Sequence, residues 1–308
     1  MQNEKSKLKI KKNVLLSKYT TFKIGGPAEY FCVTNNKEDI IKAVKWAKEK
    51  KLPFFILGRG SNVLASDRGF DGLIIKIKNC KLSRLKVEDP RFKESGKIEN
   101  CNFYAEAGTK LKDLVNLSVR ERLKGLEWAA GIPGTVGGAV YGNSQAFDEK
   151  MSDIVEGVEI LDTQNLKIKN LSKKQCQFSE KNSIFKKNRN LIILSAILKL
   201  KKGNKKEIQN KIKKHFVRRK KNHPLNFPSA GSIFINKNGT APSSYLIEKA
   251  GLKGTKIGKA EISKKHANFI VNLGGAKAKD VLKLIELTKR KVKKEFGINL
   301  QEEIQIIR

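Results

Sequence analysis

Acidic residues, cysteine and histidine are scarce in this chain, and it has no long apolar run. Asp and Glu number 30 against 65 Lys and Arg, a net charge of +35 over 308 residues. Such a field concentrates polyanions. Yet only 11 of the basic residues are arginine and the lysines are spread along the chain. Arginine clusters interleaved with aromatics, the mark of a nucleic-acid interface, are missing, so a solvated surface is the better reading and no nucleic-acid partner is expected. Cys32, Cys80, Cys101 and Cys176 show no CxxC spacing and no neighbouring histidine. That excludes a zinc site and a disulfide framework, and it fits a reducing cytosol. No metal site is expected. The longest apolar run, 191–198, contains Ser195 and is too short to span a bilayer. The charged start, MQNEKSKLKIKK, lacks the apolar stretch of a signal peptide. These features point to a soluble cytoplasmic protein with no membrane partner. GxxxxGK[ST], HExxH and GxSxG are absent, which removes support for P-loop, zincin and serine-hydrolase readings.

What the chain does have is a pair of small-residue loops. Residues 131–143 read GIPGTVGGAVYGN, a stretch suited to a backbone that turns tightly and approaches something closely. Gly58-Arg59-Gly60-Ser61-Asn62 follows the apolar run 53–57 and has the same character. Loops of this kind can wrap the phosphates of a nucleotide. Either alone is equally a tight turn without a ligand. Neither is a GxGxxG opening a helix, so a dinucleotide-type Rossmann domain is disfavoured. Two unrelated-looking loops suit a large cofactor spread over two subdomains.

Helices and strands alternate throughout, which predicts an α+β fold. Asn35 and Asn36 can cap a helix through Lys50, with Ile40, Ile41, Val44 and Ala47 on one face. Strands are expected at 54–57, 73–77, 103–107, 154–161, 191–200, 269–272 and 303–307, and a polar hairpin or insertion at 81–100. Thr109 is expected to cap a helix through about Leu123. Further helices are expected at 205–221, at 243–250 stopped by Gly251, and at 278–296 with Val281, Leu282, Ile285, Val292 and Phe296 inward.

Several blocks, in order, carry a family resemblance: TTFKIGGPAEY (20–30), ILGRGSNVLASDRGFDG (56–72), GLEWAAGIPGTVGGAVYGN (125–143), PSAGSIF (228–234), LIEKAGLKGTKIGKAEISKKHANFIVN (246–272) and LQEEIQII (300–307). They span residues 19–307 and resemble the UDP-N-acetylenolpyruvoylglucosamine reductases, in their shorter subtype. The resemblance implies a two-subdomain FAD-binding fold of the PCMH type followed by a C-terminal α/β substrate-binding domain. The divisions would be 1–80, 81–203 and 204–308. It implies a non-covalent FAD, NADPH as co-substrate, and reduction of a UDP-sugar enolpyruvyl ether for peptidoglycan synthesis by a monomer. Gly58, Arg59, Gly60, Ser61 and Asn62, with Gly131, Ile132, Pro133, Gly134, Thr135, Gly137, Gly138 and Ala139, would lie against the cofactor. Ser232 would donate the proton, and Glu303 would assist at the substrate carboxylate. Tyr141, Asn236, Arg218 and His266 would line the substrate. Read without the family, Ser232 is a turn serine, Glu303 a strand-edge charge, and His266 as well structural as functional.

The chain also departs from the family pattern. Tyr-Arg is usual where Glu180-Lys181 stands, so Lys181 would have to steady the substrate carboxylate without the guanidinium fork. A neighbour such as Lys186 or Arg189 could share that work. Ser144-Gln145-Ala146 replaces AGA, Asn222-His223 replaces Lys-Gln, and Lys237 replaces a proline. Rival readings are a sugar or alcohol oxidase of the same flavin fold and a relative that binds flavin without turnover.

Overall fold

A computed structural model describes residues 8–85, 100–236 and 239–308. Most of the expected insertion at 81–100, and Lys237, lie outside the described residues. By compactness the chain forms two units. The first comprises Cys32–Gly58 and Ile75–Val217 together with the described residues before Lys11; the second comprises Lys11–Phe31, Arg59–Ile74 and Arg218–Arg308.

The first unit is built on the long strand Leu191–Lys202, whose residues 192–198 are all buried. It pairs antiparallel with Val155–Asp162 on one side and Asn100–Glu106 on the other. Leu82–Arg84 adds beyond Asn100–Glu106, and Lys167–Ser172 beyond Val155–Asp162. Helix Lys37–Glu49 begins as expected, with Asn36 Oδ1 accepting from the Asp39 N–H at 2.7 Å. The next helix does not. It runs Leu111–Arg120 with Lys110 at its N-cap and no side-chain cap. Thr109 Oγ instead donates to the Lys81 carbonyl, which removes it from capping.

The second unit holds an antiparallel sheet in the order Ser229–Ser232, Phe269–Asn272, Ala260–Ile262, Lys256–Ile257. Helix Ala278–Phe296 presents Val281, Leu284, Ile285 and Val292 to a core shared with Phe22, Ile24, Leu64, Ile233 and Phe234. Asp67 accepts from the Ala278 and Lys279 N–H groups at 2.7 and 3.0 Å, neutralising the positive helix end. Gly297, left-handed at φ 69°, stops the helix. Phe296, expected inward, is exposed because it sits in the last turn past the buried stripe. The final strand is shorter than expected, Gln305–Ile307, and pairs parallel with Val63–Ala65. Residues 301–303 bond instead to the segment after Ser232.

Candidate active site

In the second unit, Ser232 and Glu303 are brought together by backbone. The Glu303 N–H donates to the Ile233 carbonyl at 2.7 Å, the Ile235 N–H donates to Gln301, and Phe234 bridges Glu302. Asn62 completes the arrangement. Its Nδ2 donates to the Glu303 carbonyl at 3.1 Å and its own carbonyl accepts from the Gln305 N–H. A residue of the first glycine loop is thereby fixed to the segment carrying the acid. Gly60 is bound from another side: its carbonyl accepts from the Thr21 N–H, and Thr21 Oγ donates to the Ser229 carbonyl at 2.8 Å. Gly231, left-handed at φ 78°, has no atom within 4 Å of where a Cβ would stand, so the backbone beside Ser232 opens onto free space.

His266 lies on the turn leading into Phe269, whose N–H donates to the His266 carbonyl at 2.9 Å. Burial holds the His266 imidazolium below its ordinary pKa, and Lys253 adds to that effect. Asn236 is exposed, and its Oδ1 accepts from the Ser243 N–H at the start of helix Ser243–Lys249. Arg218 is exposed, whereas the neighbouring Arg219 is largely desolvated, with its pKa lowered by burial.

In the first unit Gly58 lies against the second glycine stretch. A Cβ on Gly58 would stand 2.8 Å from Thr135 Oγ1, and that hydroxyl accepts from the Gly138 N–H at the head of helix Val136–Tyr141. Lys76 Nζ donates to the Gly58 carbonyl. Gly137 packs against Ala107, where a Cβ would come within 2.8 Å. Gly131, Pro133 and Gly138 remain exposed, with Ile132 and Gly134 half-buried. This is a stretch of backbone pressed tightly to the protein on one side and open on the other, which suits close approach by a phosphate-bearing cofactor.

Tyr141 and Lys181 are placed by neighbouring polar contacts. Ser183, fully buried, donates to the Tyr141 carbonyl at 2.6 Å, and Asn143 Nδ2 donates to the Ser179 carbonyl at 2.8 Å. Lys181 occupies the left-handed region at φ 50° in the tight turn closed by Ser179 and Asn182. Lys186 Nζ donates to the Lys181 carbonyl at 2.6 Å. The Tyr141 phenol is pushed up by burial, opposed by the nearby Arg189 guanidinium. Sequence reasoning named Lys186 and Arg189 only as helpers; the structure ties Lys186 to the turn and sets the charge of Arg189 beside Tyr141.

Comparison with known proteins agrees with this organisation. Residues 28–171 match the FAD binding domain, and residues 223–307 match the C-terminal domain of UDP-N-acetylenolpyruvoylglucosamine reductase. The reductase of that name from Clostridium novyi is 40% identical over 301 residues, 98% of this chain and 93% of the relative. That from Caldicellulosiruptor saccharolyticus is 42% identical over 306 residues, 99% of this chain and 94% of the relative. The crystal structure of UDP-N-acetylenolpyruvylglucosamine reductase from Thermus caldophilus superposes with a TM-score of 0.78 at 32% identity, covering 98% of this chain and 100% of that one. Among the described residues no helix is long and apolar enough to cross a membrane. With both family domains in order and near-complete coverage by relatives of this identity, the chain belongs to the UDP-N-acetylenolpyruvoylglucosamine reductase family.

Proposed function

We propose that the chain reduces UDP-N-acetylglucosamine enolpyruvate to UDP-N-acetylmuramate with NADPH, through a non-covalent FAD, as a step of peptidoglycan precursor synthesis. The observation that carries the site assignment is the 2.7 Å bond from Glu303 to Ile233, which sets the acid beside the residue that follows Ser232. Loops 58–62 and 131–139 hold the cofactor. FAD, when bound there, would supply the hydride, with NADPH as its source.

Hydride addition to the enol ether leaves negative charge on the neighbouring carbon and its carboxylate. Ser232 holds the proton at Oγ and delivers it to that carbon. Glu303, held by Asn62 and Ile233, assists at the substrate carboxylate. Lys181 neutralises the charge that develops there, a preorganised cation of the kind that lowers such barriers most. Tyr141, Asn236, Arg218 and His266 line the sugar nucleotide. By what each part binds, the chain divides into 1–80 and 81–203 for FAD and 204–308 for substrate. The enzyme works as a cytoplasmic monomer.

The test is NADPH oxidation by the purified yellow protein with and without the enolpyruvyl substrate. Substrate-dependent oxidation supports the assignment. A yellow protein indifferent to substrate leaves a flavin-binding relative without turnover, the rival reading supported by the Lys181 departure. A protein that takes up no FAD overturns the reading.

The lysine gives a sharper expectation. Lys181→Arg restores the bidentate fork and is expected to raise kcat/KM for the enolpyruvyl substrate about three- to tenfold. Lys181→Ala should lower it by roughly 10- to 100-fold, the cost of a lost charged hydrogen bond. An Arg189→Ala loss with Lys181→Ala unimpaired would transfer the role to Arg189.

A further inference from the structure

His223 stands outside every role assigned above, yet it is the third member of a ring cluster built onto the serine strand. Ser232 and Phe269 are directly paired across the antiparallel ladder. Residues opposite each other in a ladder share a face of the sheet. The Phe269 ring centroid lies 4.9 Å from those of both His223 and His266, and the two imidazoles meet edge to face at 5.3 Å.

The base of this cluster is rigid. The Ile233 N–H donates to the Asn268 carbonyl, and the Asn268 side chain both accepts from the Phe234 N–H and donates to the Phe234 carbonyl. Asn268 and Phe269 are therefore bound to the segment that carries Ser232. Only His223 arrives from elsewhere. It follows the end of helix Lys205–Asn222, with its N–H donating to the Arg219 carbonyl at 2.9 Å, and Pro224 comes next.

We propose that His223 is a positioning residue for the Ser232 strand: its ring braces His266 and Phe269 and so fixes the wall beside the serine. The proposal rests on the reading of Ser232 as proton donor. His266 Nδ1 is buried with no hydrogen-bond partner, and the His223 ring packs against the same imidazole, which helps to keep it from water. Electrostatics agree. Burial, then Arg219, His266 and Lys265, pushes His223 down to about 4. His266 is also held low, by burial and then Lys253, against the opposing contact with its own backbone and Glu248. Both imidazoles are thus neutral at pH 7, and a neutral brace adds no charge beside the proton donor. Below the ordinary value of about 6.5 the unfolded chain binds more protons than the folded one, so stability falls as pH drops from about 6.5 towards 4.

The test uses the flavin-loaded full chain with His223→Ala and His223→Phe. The chain has 3 histidines, so nitrogen-detected NMR resolves their titrations. In His223→Ala, water reaches His266, which then titrates nearer 6.5. A matching inflection enters the pH profile of kcat, and kcat falls on the order of tenfold with KM little changed, less than the roughly 100-fold of a full 1 Å misplacement. His223→Phe keeps the packing, restores kcat and leaves His266 low. A His223→Ala protein with wild-type His266 titration and wild-type kcat overturns the proposal, and so does a Phe variant that fails to rescue. If the wild type shows no substrate-dependent turnover, the reductase reading fails, and the His266 titration alone then decides whether His223 acts as a brace.

Discussion

Ser232→Ala is expected to reduce substrate-dependent NADPH oxidation by roughly 10²- to 10⁴-fold, the range of a positioned general acid, while the protein keeps its yellow colour. Removing one hydroxyl from a half-exposed strand residue leaves the ladder to Phe269 untouched, so folding should be unaffected. Substrate should still bind, since the loss concerns a proton delivered only in the transition state. The signature is therefore a fall in kcat with KM nearly unchanged. Glu303→Gln should act on the same step, because the Glu303 backbone is bonded to the residue after Ser232. The double variant is then expected to be little worse than Ser232→Ala alone, as residues acting as a unit are non-additive. Additive losses would separate the two residues into independent roles. A Ser232→Ala protein with wild-type kcat would falsify the proton-donor assignment outright.

The parts of this fold that sequence revealed are those whose physics is local. Helix Ala278–Phe296 announces itself by an apolar stripe and a glycine stop, and strand Phe269–Asn272 by a continuous apolar run. Strand Lys167–Ser172 gave no such signal. It is an edge strand exposed along nearly its whole length, so its KIKNLS sequence needs no alternation and its lysines discourage further pairing. Ile10–Leu15, also mostly exposed, was hidden by its lysines for the same reason. Long-range partnership was illegible as well. Nothing in 63–65 says that these residues pair in parallel with 305–307, yet that pairing brings Asn62 to Glu303.

The candidate site was readable in the same uneven way. Glycine loops and the AGS turn stand out because few residues tolerate their backbone. Asn268, Phe269 and His223 did not, since each acts through neighbours supplied by a sheet register. Strand 269–272 was visible, but its alignment with 229–232 was not, and that alignment sets Phe269 opposite Ser232.

Gly60→Ala is expected to be strongly damaging to both stability and flavin binding. Gly60 has φ 69°, and a Cβ there would stand 2.2 Å from the Tyr19 carbonyl oxygen and 2.9 Å from the Thr20 Cα. Both obstacles are backbone, so neither can swing aside as a side chain would. The left-handed strain alone costs about 1–3 kcal/mol. Overpacking adds about 1–3 kcal/mol more. Relief requires residues 19–21 to move, and Thr21 is the residue that bonds both the Gly60 and the Ser229 carbonyls. The displacement would thus pass from the cofactor loop to the strand carrying Ser232. We expect melting to fall by roughly 3–9 °C, at about 1.5 °C per kcal/mol for a chain of this size, together with loss of bound flavin on gel filtration. Thr21→Val separates the two effects, since it removes the hydroxyl bonds and leaves Gly60 unstrained. It should keep its flavin and lose kcat only. Wild-type melting and flavin content in Gly60→Ala would mean that the loop gives way freely, and that neither the Tyr19 backbone nor the cofactor requires glycine there.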